Sequence, residues 1–432
     1  MIKFISILLV GAFTSLYFFP FEFTFLPGIN TKMMLAVLGL LILGTQLGKG
    51  QSAKMDKDFF ILSVWAALFS LVCLFSITIN GTPDYAYATY FISMWVWLGA
   101  AYAVCTMIKG VHGVISIELL TKYLAAVCLF QCFAAILIDN NQTIKQLVDA
   151  YISQGQDFLT EVKRLYGIGA NLDVAGSRFS VVLVLLMYLL LNRLDDMSKS
   201  NIVYSIIAFG VIAIVGNMIA RTTTVGLIIA SLYLGYVLLI KGSLSAKASR
   251  TILWSLLGAT LIFIPLGVYL YDASPFFHKQ IRFAFEGIFS LVEKGTWEVS
   301  SNERLKTMYV FPETFKTWMM GDGYFSSPRD VDPYFTGKLV GGYYMGTDVG
   351  YLRFIFYSGL IGLVTFSTFI IKTGQICMRK FPAYKQLFLM ILAINFIVWL
   401  KVSTDIFLAF ALFLMISKED NEAYEERCLI KL

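Results

Sequence analysis

Apolar runs broken by short polar connections recur from one end of the chain to the other. A helix needs roughly 20 apolar residues to cross a hydrocarbon core of about 30 Å. On that scale the pattern predicts spans over residues 4–19, 33–47, 59–79, 85–108, 114–138, 174–191, 202–220, 223–240 and 251–271. After a long polar interval it predicts three more, over 349–371, 384–400 and 402–416, the last two separated by Lys401 alone. The expected fold is an all-α integral membrane protein, a polytopic bundle of about 12 transmembrane helices. The chain then divides into helices 1–9 with a shorter outer loop at 139–173 (residues 1–271), a large loop (272–348), helices 10–12 (349–416) and a charged tail (417–432). The tail reads as a solvated end. The first run resembles a signal peptide, but Phe18, Phe19, Pro20, Phe21 and Glu22 stand where small residues would allow cleavage, so it reads as an uncleaved span.

Orientation follows from Lys and Arg in the short loops. Lys49, Lys54, Lys57, Lys109, Arg193, Lys199, Lys241, Lys247, Arg250, Lys372, Arg379, Lys380 and Lys385 fall on one side, which is therefore read as cytoplasmic. The opposite short connections hold Lys32, Arg221 and Lys401. Both termini are expected in the cytoplasm and both long loops outside.

Composition agrees with the pattern. The 432 residues are 58% hydrophobic and 14% charged, against about a quarter charged in soluble domains. The net charge of +6 is accounted for by basic cytoplasmic loops and does not call for nucleic acid. Cys73, Cys105, Cys128 and Cys132 lie in apolar runs, so no disulfide framework is implied. His112 and His278 lack neighbours at metal-ligand spacing, and no metal or cofactor is expected. Gly321, Asp322 and Gly323 form a tight turn; without a following Lys and Ser or Thr it is no phosphate-binding loop.

Candidate chemistry concentrates in the outer segments. The loop at 139–173 carries Arg164, and its middle reads as an amphipathic helix. In the large loop Ile281, Phe285, Ile288, Phe289 and Val292 recur at helical spacing between Lys279, Arg282, Glu286 and Glu293, predicting a helix on the membrane or over the bundle. Ser300 and Glu303 have capping-box spacing before a stretch that Pro312 bends or ends. Trp297, Tyr309, Trp318, Tyr324, Phe325, Tyr334, Phe335, Tyr343 and Tyr344 either stack on sugars or pack the loop down. The loop's eight Lys and Arg face ten Asp and Glu, so any anion site must be local. Asn217 and Arg221 sit at the outer end of a span, with Thr222, Thr223 and Thr224 opening the next. An arginine there needs an anion, a carboxylate or the interface. Asp348 is placed in the first turn of the re-entering helix, with Arg353 about a turn further in.

These residues resemble the O-antigen polymerase (Wzy) family, relatives of the O-antigen ligases. The likeness runs through Asn302, Arg304, Trp318, Gly321 and Gly323, then Thr347, Asp348, Val349, Gly350, Tyr351, Leu352 and Arg353 with Tyr357, Gly359 and Gly362. Arg221 with its Thr run and Arg164 with Gly167 match further elements. Ligases carry a His where this chain has Asp348, which favours polymerase. The resemblance implies a GT-C-like, metal-independent membrane glycosyltransferase of the bacterial inner membrane. It would join undecaprenyl-pyrophosphate-linked repeat units at the periplasmic face, in membrane lipid, alongside a polysaccharide chain-length regulator (Wzz type). Arg164, Arg221 and Arg353 would bind pyrophosphate, Asp348 or Glu303 would be the base, and Arg304 would stabilise developing charge. A ligase differs in its acceptor, a flippase or transporter would have shorter loops, and a scaffold would tolerate loss of its arginines.

Overall fold

The computed structural model describes residues 2–49, 57–155, 159, 164–194, 197–241, 246–332, 334–336, 339–340 and 342–429. Lys54, Lys338, residues 156–158 and 160–163 of the loop at 139–173 and the last three residues of the tail lie outside them.

The apolar runs form α1 (Ile2–Phe18), α2 (Thr31–Gly48), α3 (Lys57–Asn80), α4 (Tyr90–His112) and α5 (Ile117–Asn140). Near the start of the loop at 139–173 lies α6 (Gln142–Tyr151), an amphipathic helix, while the middle of that loop, where such a helix was expected, falls largely outside the described residues. Then come α7 (Leu172–Asn192), α8 (Lys199–Ile219), α9 (Thr223–Tyr236) and α10 (Ala246–Ala273). In the large loop lie α11 (Pro275–Ala284), α12 (Glu286–Lys294), α13 (Ser300–Met308), α14 (Phe315–Met320) and α15 (Pro328–Val331). The chain then forms α16 (Gly350–Lys380), α17 (Lys385–Val398), α18 (Phe407–Met415) and α19 (Lys418–Leu429). Two short antiparallel ladders also occur among the described residues: β1 (Glu22–Phe23) with β2 (Ile152–Ser153), and β3 (Leu339–Val340) with β4 (Tyr343–Tyr344).

Eight helices among the described residues are long and apolar enough to cross a membrane. Leu40, Phe60, Leu232 and Leu239 are exposed on such helices, as expected of surfaces solvated by lipid. The chain is all-helical in character and compatible with a polytopic membrane protein. The final expected span shrinks to α18, whose nine residues extend about 14 Å. Its beginning is unwound because local polar groups compete with the helix: Asp405 accepts from Phe407 N at 3.0 Å, and Trp399 Nε1 donates to Thr404 O at 2.8 Å.

The chain forms two compact units, one of Met1–Leu38, Ala100–Trp297 and Met415–Leu432, the other of Gly39–Gly99 and Glu298–Leu414. In the first unit every residue of α7 from Ala175 to Leu191 is buried. Small residues let its neighbours approach: a Cβ on Gly226 would lie 2.2 Å from Ser180 Cα. Ser180 Oγ donates to Thr222 O and accepts from Gly226 N, both at 3.0 Å. The tail is not a solvated end, because the acidic face of α19 meets basic residues of the first unit. Asp420 lies 2.7 Å from Lys109, Glu425 pairs with Arg193, and Asn421 Oδ1 accepts from Ile117 N.

In the second unit α16 packs against α3, α14 and α17. Its core is aromatic, with Phe69 stacked on Phe366 at 4.5 Å and Phe366 on Trp399 at 5.4 Å.

The amphipathic stretch predicted as one helix breaks at Phe285 into α11 and α12, and Arg282 reaches across the break to Glu293 with two hydrogen bonds of 2.7 Å. Gln280, Ala284, Gly287 and Ser290 form its buried face, whereas Ile288, Leu291 and Val292 are exposed. That arrangement suits a helix pair whose apolar side meets lipid. The predicted capping box does not form: Val299 occupies the N-cap of α13 with no side-chain cap bond, and Glu303 pairs with Lys306.

Candidate functional site

The site in the second unit is built on a break. Gly359 adopts φ 69° and ψ −176° inside α16, so the carbonyls of the preceding turn lose their intrahelical donors. The Gly321 to Gly323 turn supplies replacements. Asp322 N donates to Phe356 O at 2.5 Å and Gly323 N to Tyr357 O at 3.2 Å, while Ser76 Oγ donates to the same Tyr357 O at 2.6 Å. Gly321 has φ 77°, and a Cβ there would lie 2.6 Å from the backbone of Tyr357 and Ser358. The glycines are thus explained by close backbone approach.

Arg353 lies on the first segment of this broken helix. Its Nη1 donates to Asp348 Oδ1 at 3.2 Å and to Ser403 Oγ at 2.9 Å, and its Nη2 donates to Phe325 O. The guanidinium also sits 4.1 Å from the Phe325 ring centroid and 5.3 Å from that of Tyr343. Asp348 precedes the helix rather than entering its first turn: α16 begins at Gly350 with Val349 as N-cap. Its position comes from Arg353 and from a hydrogen bond with Tyr343. Burial pushes the Tyr343 phenol pKa up, Asp348 adds to this, and Arg353 and Arg304 oppose it. Arg304 is exposed on α13, and its charge opposes the rise in the Tyr343 phenol pKa. Glu303 is exposed too, and its carboxylate meets Lys306 at 2.8 Å.

Asp84 was not singled out in the sequence, yet it holds the Arg353 frame. Fully buried, its Oδ2 accepts from Phe325 N and Ser326 N at 2.7 Å each, and its Oδ1 from Ala86 N at 3.0 Å. Tyr357 donates to the Asp84 carbonyl at 2.9 Å. The available signal was an acid beside Pro83 in a short connection between two apolar runs.

In the first unit Arg164 and Arg221 come to one ring. Their guanidiniums lie 5.4 Å and 4.0 Å from the Phe283 centroid. Arg221 Nη1 is 2.6 Å from Glu286 Oε2, and Thr222 Oγ1 donates to Asp173 Oδ1. The Thr run is structural: Thr223 Oγ1 donates to Gly216 O at 3.0 Å and Thr224 Oγ1 to Asn217 Oδ1 at 2.6 Å. Burial lowers the Arg221 pKa, with Glu286 opposing this and Arg164 adding to it. Arg178, also not singled out, is buried in α7 with its guanidinium 5.6 Å from the Phe19 ring. An arginine within an apolar run was its signal.

No family model, no curated protein and no solved structure matches the chain.

The candidate residues therefore form two groups, Arg164 with Arg221 and Asp348 with Arg353 and peripheral Arg304, while Glu303 pairs in solvent. Most loop aromatics pack the loop down: Tyr324, Phe335, Tyr344 and Phe356 cluster, and Phe325 meets Tyr87, Phe354 and Tyr357. Tyr334 is 90% exposed and remains free to stack on a sugar. Chemically, the first group offers two forked cations for an anion, and the second a carboxylate held in a rigid frame beside a third cation.

Proposed function

We propose that this protein is a polysaccharide polymerase of the O-antigen type. It transfers a growing chain from undecaprenyl pyrophosphate to the outer sugar of another lipid-linked repeat unit, at the periplasmic face of the bacterial inner membrane with both termini in the cytoplasm. The observation that carries the reading is the Asp348–Arg353 pair at the head of α16, 3.2 Å apart and fixed by Ser403 and Phe325. In this reading Asp348 takes the proton of the acceptor hydroxyl. Arg164 and Arg221, in the first unit, bind pyrophosphate. Arg353 positions Asp348 and adds positive charge, and Arg304 supplements it from α13.

The break at Gly359 favours a second reading, a lipid-linked oligosaccharide flippase or transporter, since discontinuous helices are frequent in such proteins. Reconstitution with lipid-linked repeat units separates the readings. A polymerase yields a ladder of lengths, a ligase moves one block to a lipid acceptor, and a flippase changes sidedness without forming a bond. Full ladders from a protein carrying both Arg221→Ala and Arg353→Ala would refute the assigned roles.

A further inference from the structure

Two guanidiniums held against one ring require a nearby anion, and two carboxylates supply it: Asp173 and Glu286. They are mounted differently. Asp173 lies in the first turn of α7 and accepts the Thr222 hydroxyl, so the packed helices fix it. Glu286 reaches Arg221 from the first residue of α12, in the large loop. The double hydrogen bond between Arg282 and Glu293 ties α11 to α12, so the two helices can move as one piece. The buried side of α12 consists of Gly287, which lies under Trp297, and Ser290; its larger apolar residues point outward. Within the ion pair the Arg221 side chain is 13% exposed and that of Glu286 33%, so the carboxylate is the partner that an incoming group can reach.

Resting on the reading that Arg164 and Arg221 bind pyrophosphate, we propose that Glu286 is a built-in stand-in for that anion. Its carboxylate occupies the Arg221 end of the cluster until a phosphate group displaces it and carries α11–α12 away. With Glu286 in place two cations face two anions; with it gone one net positive charge remains for the ligand. A site occupied by its own carboxylate binds with an affinity reduced by the fraction of time it is open. The displaced helices would report the loaded state at the surface where lipid meets α12.

The test is calorimetric binding of inorganic pyrophosphate and of geranylgeranyl pyrophosphate to the full chain in lipid nanodiscs. Glu286→Gln is expected to bind both probes roughly threefold to tenfold more tightly than the unaltered chain. Arg221→Ala abolishes the binding, and adding Glu286→Gln to it restores nothing. Either ranking of the probes supports the stand-in: tighter geranylgeranyl pyrophosphate places a lipid headgroup there, equal affinity a free anion. Unchanged or weaker binding by Glu286→Gln, with Arg221→Ala still damaging, overturns the stand-in and leaves the arginine reading intact. Unchanged binding by both Arg164→Ala and Arg221→Ala overturns both. Should Glu286→Gln fail to fold, Glu286→Asp carries the test, because its carboxylate falls one methylene short of Arg221 and must also tighten binding.

Discussion

The buried carboxylate of Asp84 accepts the backbone N–H groups of Phe325 and Ser326 at 2.7 Å each, across more than 240 residues of chain. Through them it fixes the carbonyl and the ring that hold Arg353. Asp84→Ala leaves those two N–H groups without their acceptor, at roughly 1–3 kcal/mol each. We expect a markedly lower thermal midpoint in detergent together with loss of polymer. Asp84→Asn keeps one acceptor oxygen and should recover part of both. A midpoint unchanged by Asp84→Ala would mean the bonds contribute nothing.

Gly359 cannot be replaced without rebuilding the break. Its φ and ψ belong to a region populated almost solely by glycine, which alone costs about 1–3 kcal/mol for another residue. A Cβ would also meet the Met319 carbonyl at 2.1 Å. Gly359→Ala should therefore lower the thermal midpoint far more than Gly374→Ala, whose Cβ meets the side chain of Leu392, which can rotate away. Equal midpoints for the two variants would remove the argument.

Arg353→Lys preserves charge but not the fork that reaches Asp348, Ser403 and Phe325 O together. With reconstituted protein and lipid-linked repeat units, we expect the rate of ladder formation to fall by roughly tenfold or more. A rate near that of the unaltered chain would show that charge alone suffices.

Tyr344 makes stability depend on alkaline pH. Burial raises its phenol pKa above the ordinary value, and Asp322, which accepts its hydroxyl at 3.1 Å, raises it further. The unfolded phenol ionises near pH 10 while the folded one stays neutral. The folded state therefore keeps its full stability below about pH 10 and loses it as pH rises further, until the folded phenol also ionises. Thermal midpoints taken between pH 9 and 11 should fall more steeply for the unaltered chain than for Tyr344→Phe. Parallel curves would exclude Tyr344 as a contributor.

Much of the architecture was legible in advance, and the residues show why. The runs at 59–79 and 174–191 became α3 and α7 with ends shifted by one or two residues, because helical hydrogen bonds close over four residues and apolar length sets where they continue. The run at 402–416 misled because hydropathy does not register Ser403, Thr404 and Asp405, whose polar groups favour a local turn over helix. Within the candidate site, Arg221 and Arg353 stood out as charges at the ends of apolar runs. Their partners Glu286 and Ser403 did not, since each is an ordinary polar residue until packing brings it within 3 Å of a guanidinium.

By itself the sequence determined most of the long apolar helices and which arginines needed explaining. Those properties depend on local backbone bonding and on the transfer of side chains out of water, and both can be read residue by residue. Tertiary structure alone decided that Asp84 caps the Phe325 turn, that the glycine turn fills the break at Gly359, that α19 docks on Lys109 and Arg193, and that Glu286 engages Arg221. Such pairings satisfy buried polar groups between distant parts of the chain. Their geometry exists only once the helices have packed.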